Sequence, residues 1–162
     1  ELRLVGGGLG DRKRDAEDRY GIHWMPDLPS LLRESDFVSI HVPLTPETHY
    51  LIGELYAERD DFEAAEGAYL QAIQRDENSP QAYHSLAQLY GKKGVKLEKA
   101  VAYAQKAIAL NPRSARYYNT LALISFRMGN YSQAEAAIRN AIALDPDNPS
   151  YQEGLKRTLQ KK

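Results

Sequence analysis

The stretch "RYYNTLALISFRMGNYSQAEAAIRNAIALDP", residues 116–146, decides the fold because variants of it also occupy residues 49–80 and 82–112. A pair formed by an aliphatic residue and a small residue recurs every 34 or 35 residues. Two sets of alanines recur at the same spacing. A fixed period of this length predicts stacked copies of one supersecondary unit. The aligned positions are Ile52, Leu86 and Leu121, then Gly53, Ala87 and Ala122, then Ala65, Ala100 and Ala134, and finally Ala72, Ala107 and Ala141.

These units resemble the tetratricopeptide repeat, a helix-turn-helix of 34 residues with the pattern W-x2-L-G-x2-Y, A-x3-F and P. Glu77 replaces the closing proline of repeat 1, and Ser125 replaces the tyrosine of repeat 3. One extra residue lies inside "GKKGVKLEKA", where we expect a longer turn between two helices. The aromatic residues that fit the pattern are predicted to pack in the core or in a groove wall. They are Tyr56, Tyr69, Tyr83, Tyr90 and Tyr118.

The resemblance implies a mainly α fold, an α-solenoid of three helical hairpins and a capping helix that follows a small α/β fragment. The predicted repeats are residues 46–79, 80–114 and 115–148. The predicted polar-faced cap is residues 149–162, since a solenoid end must face water. Thr45, Pro46 and Glu47 form a good helix start, with a capping hydroxyl, a proline at the first position and an acid in the first turn.

Residues 1–45 do not fit the repeat. "DFVSIHVP" is a short apolar and β-branched run typical of a buried strand, and "ELRLVGG" indicates another strand. "LPSLLRES" between them indicates a short helix. This alternation predicts a βαβ arrangement, in which the strand at residues 37–42 is open to pairing with a second copy of the chain.

Residues 11–53, and "SDFVSIHVPLTPET" above all, resemble the NAD-binding domain of D-2-hydroxyacid dehydrogenases. In that family a G-x-G-x-x-G loop precedes the acidic residue that matches Asp11, and the catalytic Arg, Glu and His follow "PLTPET". Here the repeats begin instead, so we expect no cofactor and no catalytic residue, with Asp11 as a weak cofactor candidate. Because residues 46–53 fit both families, the chain is interpreted as a recombined or engineered chimera.

Composition excludes several function classes. The 21 basic and 22 acidic residues leave a net charge of −1, which does not favour a nucleic-acid partner. The chain has no cysteine and four histidines without metal-ligand spacing, so no metal site is predicted. No apolar run is long enough to span a membrane. We expect a cytoplasmic protein that is not an enzyme.

The predicted function is a scaffold that binds a peptide or protein segment in the concave groove of the repeats. The family's frame places the first helix of each repeat there. Residues 46–79 carry nine acids and two bases, whereas residues 80–162 carry five acids and thirteen bases. The predicted groove residues are Glu47, Tyr50, Glu54, Glu58, Gln81, His84, Gln88, Lys92, Arg116, Asn119, Leu123 and Arg127.

This charge pattern predicts that the bound segment places acidic groups toward Arg116 and Arg127 and basic groups toward Glu54 and Glu58. Tyr50 and Glu54 stand where the carboxylate clamp of chaperone-binding repeat proteins needs a lysine and an asparagine, so we expect no chaperone tail as partner. Two alternatives stay open. One is a chimera without an evolved ligand, and the other is a remnant NAD-dependent 2-hydroxyacid dehydrogenase domain.

Overall fold

The computed structural model describes residues 2–4, 22–24 and 45–162 of the protein. The chain divides into two units, Glu1–Pro43 and Leu44–Lys162. In the first unit, strands β1 (Leu2–Leu4) and β2 (Ile22–Trp24) pair in parallel, with Leu2 opposite Ile22. β1 lies within the strand predicted for "ELRLVGG". The predicted helix at residues 28–35, the predicted strand at residues 37–42 and Asp11 lie outside the described residues.

The second unit is built of helices joined by short turns, which confirms the predicted solenoid of helical hairpins. Each hairpin consists of a first helix, a short turn and a second helix, and the last helix stands alone as the predicted cap. The helices are α1 (Pro46–Glu58), α2 (Phe62–Arg75), α3 (Pro80–Lys93), α4 (Leu97–Leu110), α5 (Ala115–Arg127), α6 (Tyr131–Leu144) and α7 (Pro149–Lys161).

Polar side chains begin most of these helices. The Thr45 hydroxyl accepts a hydrogen bond from the Thr48 amide at 3.2 Å, and Pro46 follows as the first helical residue, as predicted. The Asp61 carboxylate accepts from the Ala64 amide at 3.2 Å at the start of α2. Such caps satisfy amides that have no partner inside the helix, so each turn leads directly into the next helix.

The extra residue of repeat 2 lies in the turn, which confirms the expected longer turn. The first helix of each hairpin closes at a residue in the left-handed conformation, Asp60, Gly94 or Gly129, and each of these lies at the same distance from the start of its helix. One residue then precedes α2 and α6, whereas two, Val95 and Lys96, precede α4. The Gly94 amide donates to the Tyr90 carbonyl at 2.8 Å, and glycine reaches its φ of 73° without strain.

The core confirms the small and large positions of the repeat. The recurring alanines are all buried, and Tyr69, Leu86 and Tyr90 fill the space between neighbouring hairpins. Ser125, which replaces a tyrosine, is also fully buried, and its hydroxyl donates to Gln133 Oε1 at 2.9 Å. The predicted packing role of the tyrosines is therefore confirmed for Tyr69, Tyr83 and Tyr90, whereas Tyr56 is exposed.

A polar link joins the first two repeats. The Tyr90 hydroxyl and the Lys96 ammonium both donate to Glu66 Oε1, and the ammonium lies 5.1 Å from the centroid of the Tyr90 ring. Burial alone would raise the pKa of the Glu66 carboxyl, but the bonds from Lys96 and Tyr90 outweigh it and hold the pKa below its ordinary value. The carboxylate therefore stays charged at neutral pH and ties α2 to the turn after α3.

Replacing Gly53 with alanine is expected to lower the free energy of unfolding by about 1–3 kcal/mol, since an added Cβ overpacks the core. That Cβ would lie 2.5 Å from two carbons of the Tyr69 ring. The ring is buried and its hydroxyl donates to Glu54 Oε1 at 2.6 Å, so it cannot move aside freely. Urea unfolding followed by circular dichroism measures the effect.

Gly67 supplies the matched control for this substitution. It is also helical, but no atom lies within 4 Å of a Cβ added there. Alanine at position 67 should therefore stabilise the protein by up to about 1 kcal/mol through helix propensity. A Gly53→Ala variant that gains as much stability as Gly67→Ala would contradict the packing argument.

Candidate functional site

The first helices of the hairpins, α1, α3 and α5, together border a cavity of about 590 Å³. We call the surface formed by α1, α3, α5 and α7 the groove. The repeat period brings equivalent residues of neighbouring helices side by side, so that Glu54, Gln88 and Leu123 lie along the cavity in that order. A ligand crossing the groove would therefore meet one residue from each repeat in turn.

The cavity is lined in part by apolar side chains. They include Leu89, Leu123, Ile124 and the Tyr69 ring. Leu89 and Ile124 are buried, whereas Leu123 is 44% exposed and stands in the cavity wall. A partner that covers an exposed aliphatic side chain removes apolar surface from water, which favours binding at a concave surface.

The walls of the cavity carry opposite charges. Glu54 and Glu58 belong to the α1 side, and Glu54 already accepts the bond from the Tyr69 hydroxyl. Lys92 belongs to the middle helix α3, and Arg127 belongs to α5. The Nη1 atom of Arg127 donates to the carbonyls of Gly91 at 2.7 Å and Lys92 at 3.1 Å, so this guanidinium also closes the end of α3.

The predicted groove residues fall into two groups. Seven of them line the cavity, namely Glu54, Glu58, Gln88, Lys92, Asn119, Leu123 and Arg127. Glu47, Tyr50, Gln81, His84 and Arg116 belong to the first half of each helix and do not line it. The structure therefore separates Arg116 from Arg127, the two residues that the sequence placed together as an acid-binding pair.

His84 lies beneath the groove and not on its surface. The imidazole is only 7% exposed, its Nε2 atom is 3.0 Å from the Thr120 hydroxyl, and its ring centroid is 4.7 Å from that of Tyr117. Burial and, to a smaller extent, the positive charge of Arg116 lower the pKa of His84 to about 4. The ring is therefore neutral at pH 7 and holds α3 against α5.

Several lining residues were not predicted from the sequence. Tyr69 comes from a second helix, whereas the prediction considered first helices alone. Four further lining residues are sequence neighbours of predicted positions, namely Ser85, Leu89, Thr120 and Ile124. The aromatic residue of the A-x3-F pattern was the available signal for Tyr69, because a large ring opposite Gly53 must extend toward the first helices.

The described residues also bear on the question of a metal site. No group of three histidine, aspartate or glutamate side chains is placed to hold a metal ion among these residues. None of the described helices is both long and apolar enough to cross a membrane.

Family comparison identifies two kinds of sequence in the chain. Models described as "Tetratricopeptide repeat" match residues 46–79, 68–102 and 115–148. The model described as "D-isomer specific 2-hydroxyacid dehydrogenase, NAD binding domain" matches residues 9–59. The two matches share α1, and their combination suggests a chimera, as the sequence predicted.

Curated relatives match one part of the chain or the other. Hsp70-Hsp90 organizing protein 2 of Arabidopsis thaliana is 30% identical over 92 residues, which are 57% of this chain and 16% of that protein. Glyoxylate reductase of Korarchaeum cryptofilum is 56% identical over 43 residues, which are 26% of this chain and 13% of that protein. The chain thus spans less than a fifth of the length of either relative.

Solved structures similar to this chain include several tetratricopeptide repeat domains. The Arabidopsis OM64 domain has a TM-score of 0.70 at 19% identity and covers 73% of this chain and 97% of its own. The first such domain of Spaghetti (RPAP3), bound to an HSP90 peptide, has a TM-score of 0.68 at 19% identity and covers 72% and 94%. At these identities the similarity establishes the fold.

Proposed function

We propose that the tetratricopeptide repeats of residues 46–148 form, with α7, a non-enzymatic scaffold whose groove binds a segment of another protein. The observation that carries this proposal is the 590 Å³ cavity, which is lined by the exposed Leu123 together with acidic side chains of α1 and basic side chains of α3 and α5. Binding sites are typically concave and apolar with a few polar groups that orient the ligand. The similar domain that binds an HSP90 peptide supports a peptide as the kind of ligand.

The walls define the orientation that we propose for the bound segment. Its basic groups face Glu54 and Glu58, and its acidic groups face Lys92 and Arg127, with Arg116 further along α5. Arg127 retains donors for this contact because its two carbonyl bonds use one nitrogen of a guanidinium that has five N–H groups. Glu54 would repel a terminal carboxylate, so we expect chaperone tails to bind poorly.

Replacing Leu123 with aspartate should weaken peptide binding by at least about tenfold, because a charge replaces the central apolar contact of the groove. Peptides selected from a random library on the wild-type protein serve as ligands, and fluorescence anisotropy gives their affinity. Leu144→Asp is the control, since Leu144 is equally exposed but lies on α6 and does not line the cavity. Equal affinities for Leu123→Asp and wild type would refute the groove as the site.

The second candidate is a chimera without an evolved ligand. The overlap of both family matches within α1 favours it, because a join inside a shared helix leaves each parent's pattern intact. The same library distinguishes the two candidates. A scaffold yields peptides that share a charge and apolar pattern, whereas a chimera without a ligand yields no pattern above background.

A remnant NAD-dependent dehydrogenase domain is the third candidate, and the match over residues 9–59 favours it. Titration with NADH, followed by its fluorescence, tests this directly. A homodimer formed through residues 37–42 would be detected as a doubled mass in light scattering.

A further inference from the structure

The groove continues beyond its main cavity. A second cavity of about 220 Å³ lies between α5 and α7, and Asn119 and Leu123 border both cavities. Phe126, Gly154 and Arg157 line the second cavity. A Cβ added to Gly154 would lie 3.4 Å from Ile138 Cδ1, so this part of α7 packs against α6 at the border of the cavity. α7 therefore borders the same ligand-accessible surface as the three repeats.

Arg157 is held in the second cavity in a way that leaves its hydrogen-bond donors available. Its Cζ atom lies 4.9 Å from the centroid of the Phe126 ring. Such a cation–π contact uses none of the five N–H donors of the guanidinium. Glu153 borders the same cavity but does not pair with Arg157. Among the ion pairs at 4 Å or less within residues 45–162, none includes Arg157.

The charge of the groove residues changes from negative on α1 to positive on α7. The residue equivalent to Glu54 of α1 is Gln88 in α3, Leu123 in α5 and Arg157 in α7. This row therefore runs from an acid through an amide and an apolar side chain to a base. A second row, four residues further along each helix, consists of Glu58, Lys92 and Arg127. It also changes from an acid on α1 to a base on α5.

We propose that α7 is part of the recognition surface and that its cavity is a subsite for an acidic side chain of the bound segment, held by Arg157. This proposal rests on the proposed function and adds the chemical class of the ligand. The segment carries a basic residue over α1, an aliphatic residue on Leu123 and an acidic residue at Arg157.

The length of the segment follows from helix spacing. Packed helices lie about 8–10 Å apart, so the three intervals from α1 to α7 span roughly 24–30 Å. An extended chain covers about 3.3 Å per residue, so about seven to nine residues cross the whole groove. The main cavity alone, with two intervals, would need only about five or six.

A designed probe tests the subsite. It is a fluorescein-labelled peptide of nine residues, acetylated and amidated, with two lysines at one end, a central leucine and two glutamates at the other. Arg157→Gln should weaken its binding about tenfold. Arg157→Lys should weaken it by less, because lysine keeps the charge but lacks the forked donors of the guanidinium. Lys156→Gln removes the same charge from an exposed position of α7 outside both cavities and should leave affinity unchanged.

A second probe with glutamines in place of glutamates separates direct contact from lost packing. Arg157→Gln should not affect its affinity, because the partner carboxylates are absent. An equal loss for both probes, or no loss for either, overturns the subsite. If Leu123→Asp still weakens binding in that case, the proposed function stands without the subsite, whereas failure of wild type to bind the first probe contradicts both.

Discussion

Leu86→Ala is expected to lower the free energy of unfolding by about 2–5 kcal/mol, the cost of removing a fully buried leucine from a core that cannot collapse around the gap. Leu86 is 0% exposed in α3, the first helix of the middle hairpin, and belongs to the cluster that includes Tyr69 and Tyr90. Since each hairpin is stabilised mainly by its neighbours, a cavity in the middle one weakens both junctions. Chemical denaturation followed by circular dichroism gives the change.

Leu70 is the control for this substitution. It also lies in a helix of the array, but it is 40% exposed on α2, so Leu70→Ala should change stability by about 0.5 kcal/mol or less. Similar losses for the two variants would contradict the assignment of Leu86 to the core.

Acid should destabilise the protein through His84. Burial and the charge of Arg116 lower the pKa of this imidazole to about 4, with Glu54 acting in the opposite direction. An unfolded chain has a histidine pKa of about 6.5. The unfolded state therefore takes up the proton first, and stability is lost as pH falls from about 6.5 to about 4. At about 1.4 kcal/mol per pKa unit, the loss approaches 3 kcal/mol.

Comparison with His84→Gln isolates this contribution. Glutamine can still reach the Thr120 hydroxyl but does not titrate, so its stability should fall less over the same pH range. The pKa of His49 is also lowered by burial and by Arg75, and this contribution is common to both proteins. Urea unfolding at pH 7, 6, 5 and 4 measures both curves. Parallel curves between pH 6.5 and 4 would show that His84 is not the group responsible.

The helical hairpins could be predicted from sequence because their determinants are local and repeated. A position such as Ala100 must be small wherever two helices meet, so the same residue recurs at each junction, and the structure buries it completely. The helix start at Thr45 and Pro46 depends only on adjacent residues, and it was predicted for the same reason. The extra residue of repeat 2 was assigned to the turn because a turn can absorb an inserted residue, and Lys96 there adopts a left-handed conformation just before α4 begins.

The groove was predicted less completely because its shape depends on side chains from different repeats. Period and register identified Glu54, Gln88 and Leu123 as neighbours, and these residues line the cavity. The bonds from Arg127 to the end of α3 and the burial of His84 beneath Tyr117 are contacts between repeats. No repeated pattern encodes such contacts, since each involves residue types that occur in one hairpin only. The cavity beside α7 was missed because that helix was assigned to a cap alone.

The order of charges from Glu54 to Arg157 also has a kinetic consequence. A surface that is negative at one end and positive at the other exerts a torque on a dipolar partner before contact, so productive encounters become more frequent. This attraction extends over roughly 8 Å at physiological ionic strength. Added salt should therefore slow association, while the residence time depends mainly on the apolar contact with Leu123.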